Sequence, residues 1–307
     1  MYCVQKLSAA KIPNLEDNSD IFGKSNARTE VRPFIVTWQH HDSVIRIKSE
    51  VLHPLMSYGT EVVTYVEVGT KYIYVGYESG QITAIRYDYT SQDNKVESKL
   101  ASTNLNAHSD AALSISTCVE FGIMVSSSND NSCVIWDTVM RQNYPTFVKT
   151  INLDGPVYLT EISKTSGDIV TVSKIDRIEQ ATHKNKGSVL SLYSINGEKI
   201  AYRKCEPPIS ALAFSSAPEG TSVNVVATGH GLQTGVIRLW STWDLSPVRD
   251  IPTSQISNII AMTFSLDNLT LYVATEDDEI LIFEQPKGNN STSTKKYTPK
   301  ICVLDSS

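Results

Sequence analysis

The feature that most limits how this chain folds is a recurring pair of strands. Tyr72-Ile-Tyr-Val-Gly-Tyr-Glu-Ser-Gly80 is an apolar strand entering a Ser-Gly turn, and Gln81-Ile-Thr-Ala-Ile85 follows as an alternating strand. The unit returns at 123–137, at 224–240 around an interrupted turn, and at 271–283. Weaker copies lie at 167–193, with an inserted loop, and at 34–47. Runs of Val, Ile, Thr and Tyr bounded by Gly, Asn, Asp and Ser read as strands and tight turns, and helical periodicity is almost absent. A large apolar residue closes each copy: Ile47, Ile85, Trp136, Tyr193, Trp240 and Phe283, at steps of 38, 51, 57, 47 and 43 residues. A period of about 40–45 residues with loop insertions is that of propeller blades.

Each copy after the first has a candidate strand upstream: 62–66, 112–116, 157–160, 209–214 and 259–264. Outer strands are expected at 145–149, 199–202 and 247–251, the second preceded by the hairpin dipeptide Asn196-Gly197. Four antiparallel strands per repeat make a blade, and no blade buries both faces alone. The expected fold is an all-β propeller of six to seven four-stranded blades. Residues 1–33 read as a strand and extended loop of the first blade, 34–285 as the repeat region, and 286–307 as a flexible tail with a closing strand near Ile301–Leu304.

Composition narrows the function classes. The formal charge is 27 − 33 = −6, which weighs against broad phosphate binding and hence against nucleic acid. No run nears the roughly 18 apolar residues of a membrane helix, and no secretory signal opens the chain. Cysteines 3, 118, 133, 205 and 302 are odd in number and never form CxxC, so neither a zinc site nor a redox pair is expected. A reducing compartment fits this usage. Asn268-Leu-Thr270 and Asn290-Ser-Thr292 then read as chance matches to a glycosylation acceptor.

The copy at 107–137 carries the most chemistry. Ala107-His108-Ser109 precedes it, serines fill 126–128, Asp130 sits in the turn, and Trp136-Asp137 closes it. This resembles the Gly-His … Trp-Asp pattern of WD40 repeats, with alanine replacing glycine. The resemblance implies a buried hydrogen-bonded tetrad of His108, Ser126 or Ser128 (with Ser128 the expected member), Asp130 and Trp136. An Asp beside a buried His also resembles a catalytic pair, but the spacing places both inside one blade. Other copies lack the His, as in a degenerate propeller held mainly by apolar packing.

Other constellations are weaker. His40-His41-Asp42 invites a metal, but adjacent strand residues point to opposite faces and no third ligand follows. Gly229-His-Gly231 is glycine-rich but leads into no helix, so a hairpin loop is expected there. Lys184-Asn-Lys186 and Lys295-Lys296 read as solvated loop tips, without the aromatics of a single-strand stacking platform. No nucleophile elbow or phosphate loop is present. The expectation is no catalytic residue, no metal and no cofactor. A metal-dependent hydrolase would need inward ligands from several blades, whereas the carboxylates cluster in turns such as Asp277-Asp278-Glu279.

The segment from Gly235 to Ile251, containing Val-Ile-Arg-Leu-Trp-Ser-Thr-Trp-Asp-Leu, resembles the last WD repeats of giant BEACH-domain regulators of lysosomal traffic. The segments 128–137, 165–172 and 217–226 support it, and 37–47 resembles the family's early blade. The resemblance implies a non-catalytic protein-interaction scaffold in lysosome and endosome membrane traffic and lysosome size. It further implies protein partners from the trafficking machinery, a cytoplasmic location peripheral to those membranes without direct insertion, and PH-like and BEACH domains ahead of the propeller in the longer family proteins. A fragment and a free-standing propeller both remain open. The alternative is a WD40 adaptor such as a ubiquitin-ligase substrate receptor, which often shows Trp-Asp-x-Arg. Neither Trp136-Asp-Thr-Val139 nor Trp243-Asp-Leu-Ser246 has that Arg. Trp243 and Arg249 form the candidate interface, since Trp and Arg are frequent anchors. The plainer expectation for Trp243 is packing on the blade edge.

Overall fold

A computed structural model describes residues 2–12, 30–39, 44–48, 52–57, 62–69, 72–86, 101–139, 144–175, 187–216, 224–230, 235–253, 258–265, 267–277, 279–284 and 298–303. These residues form six four-stranded antiparallel sheets, each built from consecutive strands.

The first blade is β1 (Tyr2–Ile12), β2 (Glu30–Gln39), β3 (Val44–Lys48) and β4 (Leu52–Ser57). The second is β5 (Val63–Val68), β6 (Tyr72–Tyr77), β7 (Gln81–Arg86) and β8 (Ala101–Asn106). The third is β9 (Ala112–Cys118), β10 (Ile123–Ser128), β11 (Ser132–Asp137) and β12 (Thr146–Asn152). The fourth is β13 (Val157–Ile162), β14 (Ile169–Lys174), β15 (Ser188–Tyr193) and β16 (Lys199–Cys205). The fifth is β17 (Ile209–Phe214), β18 (Val225–His230), β19 (Val236–Ser241) and β20 (Pro247–Pro252). The sixth is β21 (Ile259–Phe264), β22 (Thr270–Thr275), β23 (Glu279–Glu284) and β24 (Thr298–Val303).

The first strands of successive blades lie side by side from β1 through β21. The six closing residues all fall in third strands, second from the end except for Tyr193, which is last. The side chain of Ile47 lies outside the described residues. The closing residues from Trp136 onward pack on the blade before their own. Trp136 joins Tyr74 and Ala84, Tyr193 joins Val125 and Ile135, Trp240 joins Val172 and Leu192, and Phe283 joins Ala227 and Leu239. Each blade therefore buries its apolar face only against a neighbour, so the core is a series of inter-blade layers. The three widest closers, Trp136, Tyr193 and Trp240, each sit at a register shift against the outer strand. Such a bulge re-aims a side chain and lets a large ring enter the layer.

Polar bonds stitch the same layers. Ser114 Oγ lies 3.1 Å from Thr160 Oγ1, Thr117 Oγ1 donates to Glu67 Oε1 at 3.0 Å, and Tyr158 OH donates to the Ile209 carbonyl at 2.6 Å.

Candidate functional site

The third blade concentrates the polar chemistry. Trp136 Nε1 donates to Ser126 Oγ at 3.0 Å, and that oxygen lies 2.9 Å from His108 Nε2. His108 Nδ1 lies 3.0 Å from Ser132 Oγ and 3.4 Å from Asp130 Oδ2. Ser132 Oγ donates to Asp130 Oδ1 at 2.6 Å. Asp130 also accepts the backbone N–H groups of Ser109 and Ser132, at 2.9 and 3.0 Å.

The hydroxyl in this relay is that of Ser126, which corrects the assignment to Ser128. The register explains it. Trp136 stands opposite Met124, and its indole N–H reaches two residues on, to 126. Ser128, two residues further, donates to the Asp110 carbonyl at 2.8 Å and accepts the Asp130 N–H at 3.0 Å.

Donor counting fixes the protons. Ser126 accepts from the indole and gives its own proton to Nε2, so the imidazole proton sits on Nδ1 and points at Ser132 and Asp130. Every member is then satisfied with a neutral imidazole. Burial pushes His108 below its ordinary pKa, with the Asp130 charge opposing in part. Burial works against the Asp130 carboxylate too, but hydrogen bonds from Ser132 and Ser109 hold it below the usual range. The pair is thus a structural link whose nitrogens are both occupied.

The fifth blade holds a second relay that the sequence reading missed. Trp240 Nε1 donates to Thr228 Oγ1 at 2.8 Å, and Thr228 Oγ1 lies 3.1 Å from His230 Nε2. His230 Nδ1 lies 2.9 Å from the Pro207 carbonyl oxygen. His230 is the last residue of β18 and is buried, not part of a glycine-rich hairpin loop. The expectation that the other copies lack the His fails at the fifth blade. A signal was present: Thr228 and His230 are two apart, so they share a strand face opposite a closing Trp. Burial pushes His230 below its ordinary pKa, against the bond to Pro207.

Among the second to sixth blades one rule recurs. The residue two beyond the closer's cross-strand partner is Ser126 or Thr228 where the closer is Trp, but Val75 where it is Ile85 and Val273 where it is Phe283. The fourth blade is the exception. Thr171 stands at this position under Tyr193, and its buried hydroxyl has no hydrogen-bond partner.

Trp243 is 82% exposed, so it does not pack on the blade edge. It sits in the β19–β20 turn, and its neighbours hold it outward. Ser241 Oγ accepts the Trp243 N–H at 3.2 Å, Asp244 Oδ1 accepts the Ser246 N–H at 3.0 Å, and Leu245 N–H donates to the Ser241 carbonyl at 3.1 Å. Leu245 is fully buried at φ 55°, a left-handed conformation unusual for leucine. Arg203 from the preceding blade donates to the Asp244 carbonyl at 3.1 Å. Arg249 lies within β20, opposite Leu239 and half-buried.

Among the described residues, no group of three or more metal-ligating side chains converges. His40-His41-Asp42, Lys184–Lys186 and Lys295-Lys296 lie outside the described residues. Cys118, Cys133 and Cys205 are buried free thiols, and burial raises the pKa of each. No helix among the described residues is long and apolar enough to cross a membrane.

Six four-stranded sheets joined through shared apolar layers, two of them closed by Trp, with a Trp–Ser–His–Asp relay in the third blade, define a WD40-type β-propeller. The homologues of this chain are lysosomal-trafficking regulators and related BEACH-domain proteins. It is 32% identical over 255 residues to the lysosomal-trafficking regulator of Homo sapiens, covering 80% of this chain, and 29% identical over 227 residues to that of Drosophila melanogaster, covering 60%. It is 26% identical over 160 residues to BEACH domain-containing protein A2 of Arabidopsis thaliana, covering 50% of this chain and 4% of that protein. The chain spans about 6% of the length of the two trafficking regulators. No family model matches. Among solved structures, Chaetomium thermophilum Sqt1 bound to the N-terminus of ribosomal protein L10 superposes with a TM-score of 0.61 at 14% identity, covering 82% of this chain and 68% of that one, a likeness of fold alone.

Proposed function

We propose that this chain is a non-catalytic protein-interaction scaffold, the WD40 propeller of a BEACH-type regulator of lysosome and endosome membrane traffic and lysosome size. In that reading it follows PH-like and BEACH domains in the longer polypeptide, works in the cytoplasm at the surface of those membranes, and binds proteins of the trafficking machinery. Homology to trafficking regulators supports the setting, and the solved neighbour that holds another protein's N-terminus supports the kind of partner.

The observation that carries the interaction role is Trp243. An indole presented to solvent from a turn whose backbone is internally bonded loses little freedom on binding, which is how a rigid anchor gains affinity. Arg249 in the following strand supplies a second anchor type. The test is affinity capture from cytosol with the unaltered chain and with Trp243→Ala/Arg249→Ala. The reading expects the double variant to lose trafficking proteins while melting like the parent. Retention of every partner at unchanged affinity would place the interface elsewhere.

A further inference from the structure

The outer strands of the blades do not all meet water in the same way. On β8 the exposed positions are polar: Ser102, Asn104 and Asn106. On β12 and β16 they are apolar and basic. Phe147 and Val148 in β12 are 61% and 52% exposed, and Ile200 and Tyr202 in β16 are 48% and 52% exposed. Single exposed apolar side chains are ordinary, but two neighbouring outer strands with two each form a patch, and patches mark contact surfaces.

The register shows how two of these side chains come to face outward. Ile135 stands opposite Lys149 and Trp136 opposite Phe147, so Val148 is the extra residue of a bulge. Leu192 stands opposite Ala201 and Tyr193 opposite Lys199, so Ile200 holds the same place in the next blade. β8 pairs with β7 without a shift. The bulge that admits the closing ring to the layer thus sets a β-branched side chain outside it. A bulged edge is a poor template for backbone pairing, so a ligand here is read by side chains.

Two bonds between blades join these strands into one surface. Lys149 Nζ donates to the carbonyls of Asn196 and Gly197 in the β15–β16 turn, at 3.1 and 3.3 Å. Arg203 in β16 donates to the Asp244 carbonyl, beside Trp243, at 3.1 Å. The surface therefore runs from β12 across β16 to the Trp243 turn, through residues 144–152, 194–205 and 242–246.

Its charge is basic on an acidic chain. Those residues hold Lys149, Lys199, Arg203 and Lys204 against Glu198 and Asp244, a balance of 4 − 2 = +2 where the whole chain carries −6. Among the described residues none of the four cations forms an ion pair with a carboxylate. Lys149 and Arg203 bond to neutral carbonyls, and Lys199 lies over the Tyr202 ring, 4.6 Å from its centre. Three of the cations are thus held against the surface. That suits a chain laid along the rim, whereas binding a headgroup plane calls for cations that reach outward.

We propose that this surface docks an extended acidic segment of a partner protein, with apolar side chains set on Val148, Ile200 and Tyr202 and carboxylates facing Lys199, Arg203 and Lys204. The inference rests on the scaffold reading and adds to it the chemistry of the partner.

The test titrates the full chain with the peptides Gly-Glu-Leu-Glu-Phe-Glu-Gly, Gly-Lys-Leu-Lys-Phe-Lys-Gly and Gly-Glu-Ser-Glu-Ser-Glu-Gly, and with phosphatidylcholine vesicles containing phosphatidylserine, following backbone amide signals. The acidic apolar peptide is expected to shift the signals of Val148, Ile200 and Tyr202. Reversing its charge, or replacing its Leu and Phe by Ser, is expected to weaken binding by about tenfold or more. Ile200→Glu does the same while melting like the parent, and Ile260→Glu, at an exposed apolar residue of the sixth blade, changes nothing. Equal binding of the acidic and basic peptides, unchanged affinity with Ile200→Glu, or shifts at these residues from the vesicles and not the peptides overturns the proposal. If no peptide binds, yet trafficking proteins are still lost from Trp243→Ala/Arg249→Ala, the scaffold reading stands and this site falls.

Discussion

The third and fifth blades solve one problem with different wiring. In each, a closing Trp enters the layer with an indole N–H that needs a buried acceptor, and a strand hydroxyl supplies it. In the third blade the histidine arrives from the segment before β9, and the relay ends on a turn carboxylate. In the fifth the histidine lies on the same strand as the hydroxyl, and the relay ends on a backbone carbonyl. What is shared is therefore the chain of donors and acceptors, not the order of residues. The second and sixth blades make the same point from the other side. With Ile85 or Phe283 as closer there is no N–H to satisfy, and valine takes the place of the hydroxyl residue.

The largest expected effect is in the third blade. His108→Ala leaves the buried Ser126 hydroxyl without its acceptor, removes the imidazole N–H from Ser132 and Asp130, and opens a void, and should cost about 3 kcal/mol by denaturant unfolding. A loss under about 1 kcal/mol would mean the relay is not closed. In the fifth blade, Trp240→Phe removes one donor and leaves a ring of the sixth-blade type, so the cost should be smaller, about 1–3 kcal/mol. If Trp240→Phe costs more than His108→Ala, the carboxylate-ended relay is not the stronger of the two.

The fourth blade gives an opposite sign. Thr171 keeps a hydroxyl with no partner, so Thr171→Val should leave stability unchanged or raise it by up to about 1 kcal/mol. The same change at Thr228 should destabilise. Smallest of all is Trp243→Ala, expected within about 0.5 kcal/mol because the ring is already in water.

Acid should separate the blades from neutral solution in a defined direction. Both histidines have folded pKa values below the unfolded value near 6.5. The unfolded chain therefore binds more protons as pH falls through about 6.5, and stability drops there. Asp130, whose folded pKa is below the usual carboxylate range, adds a further loss only at more acidic pH. His108→Gln should flatten part of the first step in a Tm-against-pH profile, while an unchanged profile would mean His108 is not a linked group.

Much of this was legible in the sequence, for physical reasons that also mark its limit. The closing residues recur because every layer needs a wedge, and the two-residue alternation of strands makes them visible. The outer strands at 199–202 and 247–251 fall within β16 and β20. The relay serine was harder, because 126 and 128 share a face and only the cross-strand register of Trp136 separates them. His230 escaped because its acceptor, the Pro207 carbonyl, is a backbone atom with no signature in residue type. For Trp243 the sequence offered both an exposed anchor and a ring packed on the blade edge, and could not choose between them. Its orientation is set by a turn that buries Leu245 in its place.

The central claim is that the two buried histidines are neutral structural links with no free nitrogen for chemistry. Nitrogen NMR of the imidazoles from pH 8 to 5 tests it directly. The account predicts that His108 and His230 both carry their proton on Nδ1 and stay neutral through pH 6.5. A proton on Nε2, or titration of either ring at or above pH 6.5, would contradict it.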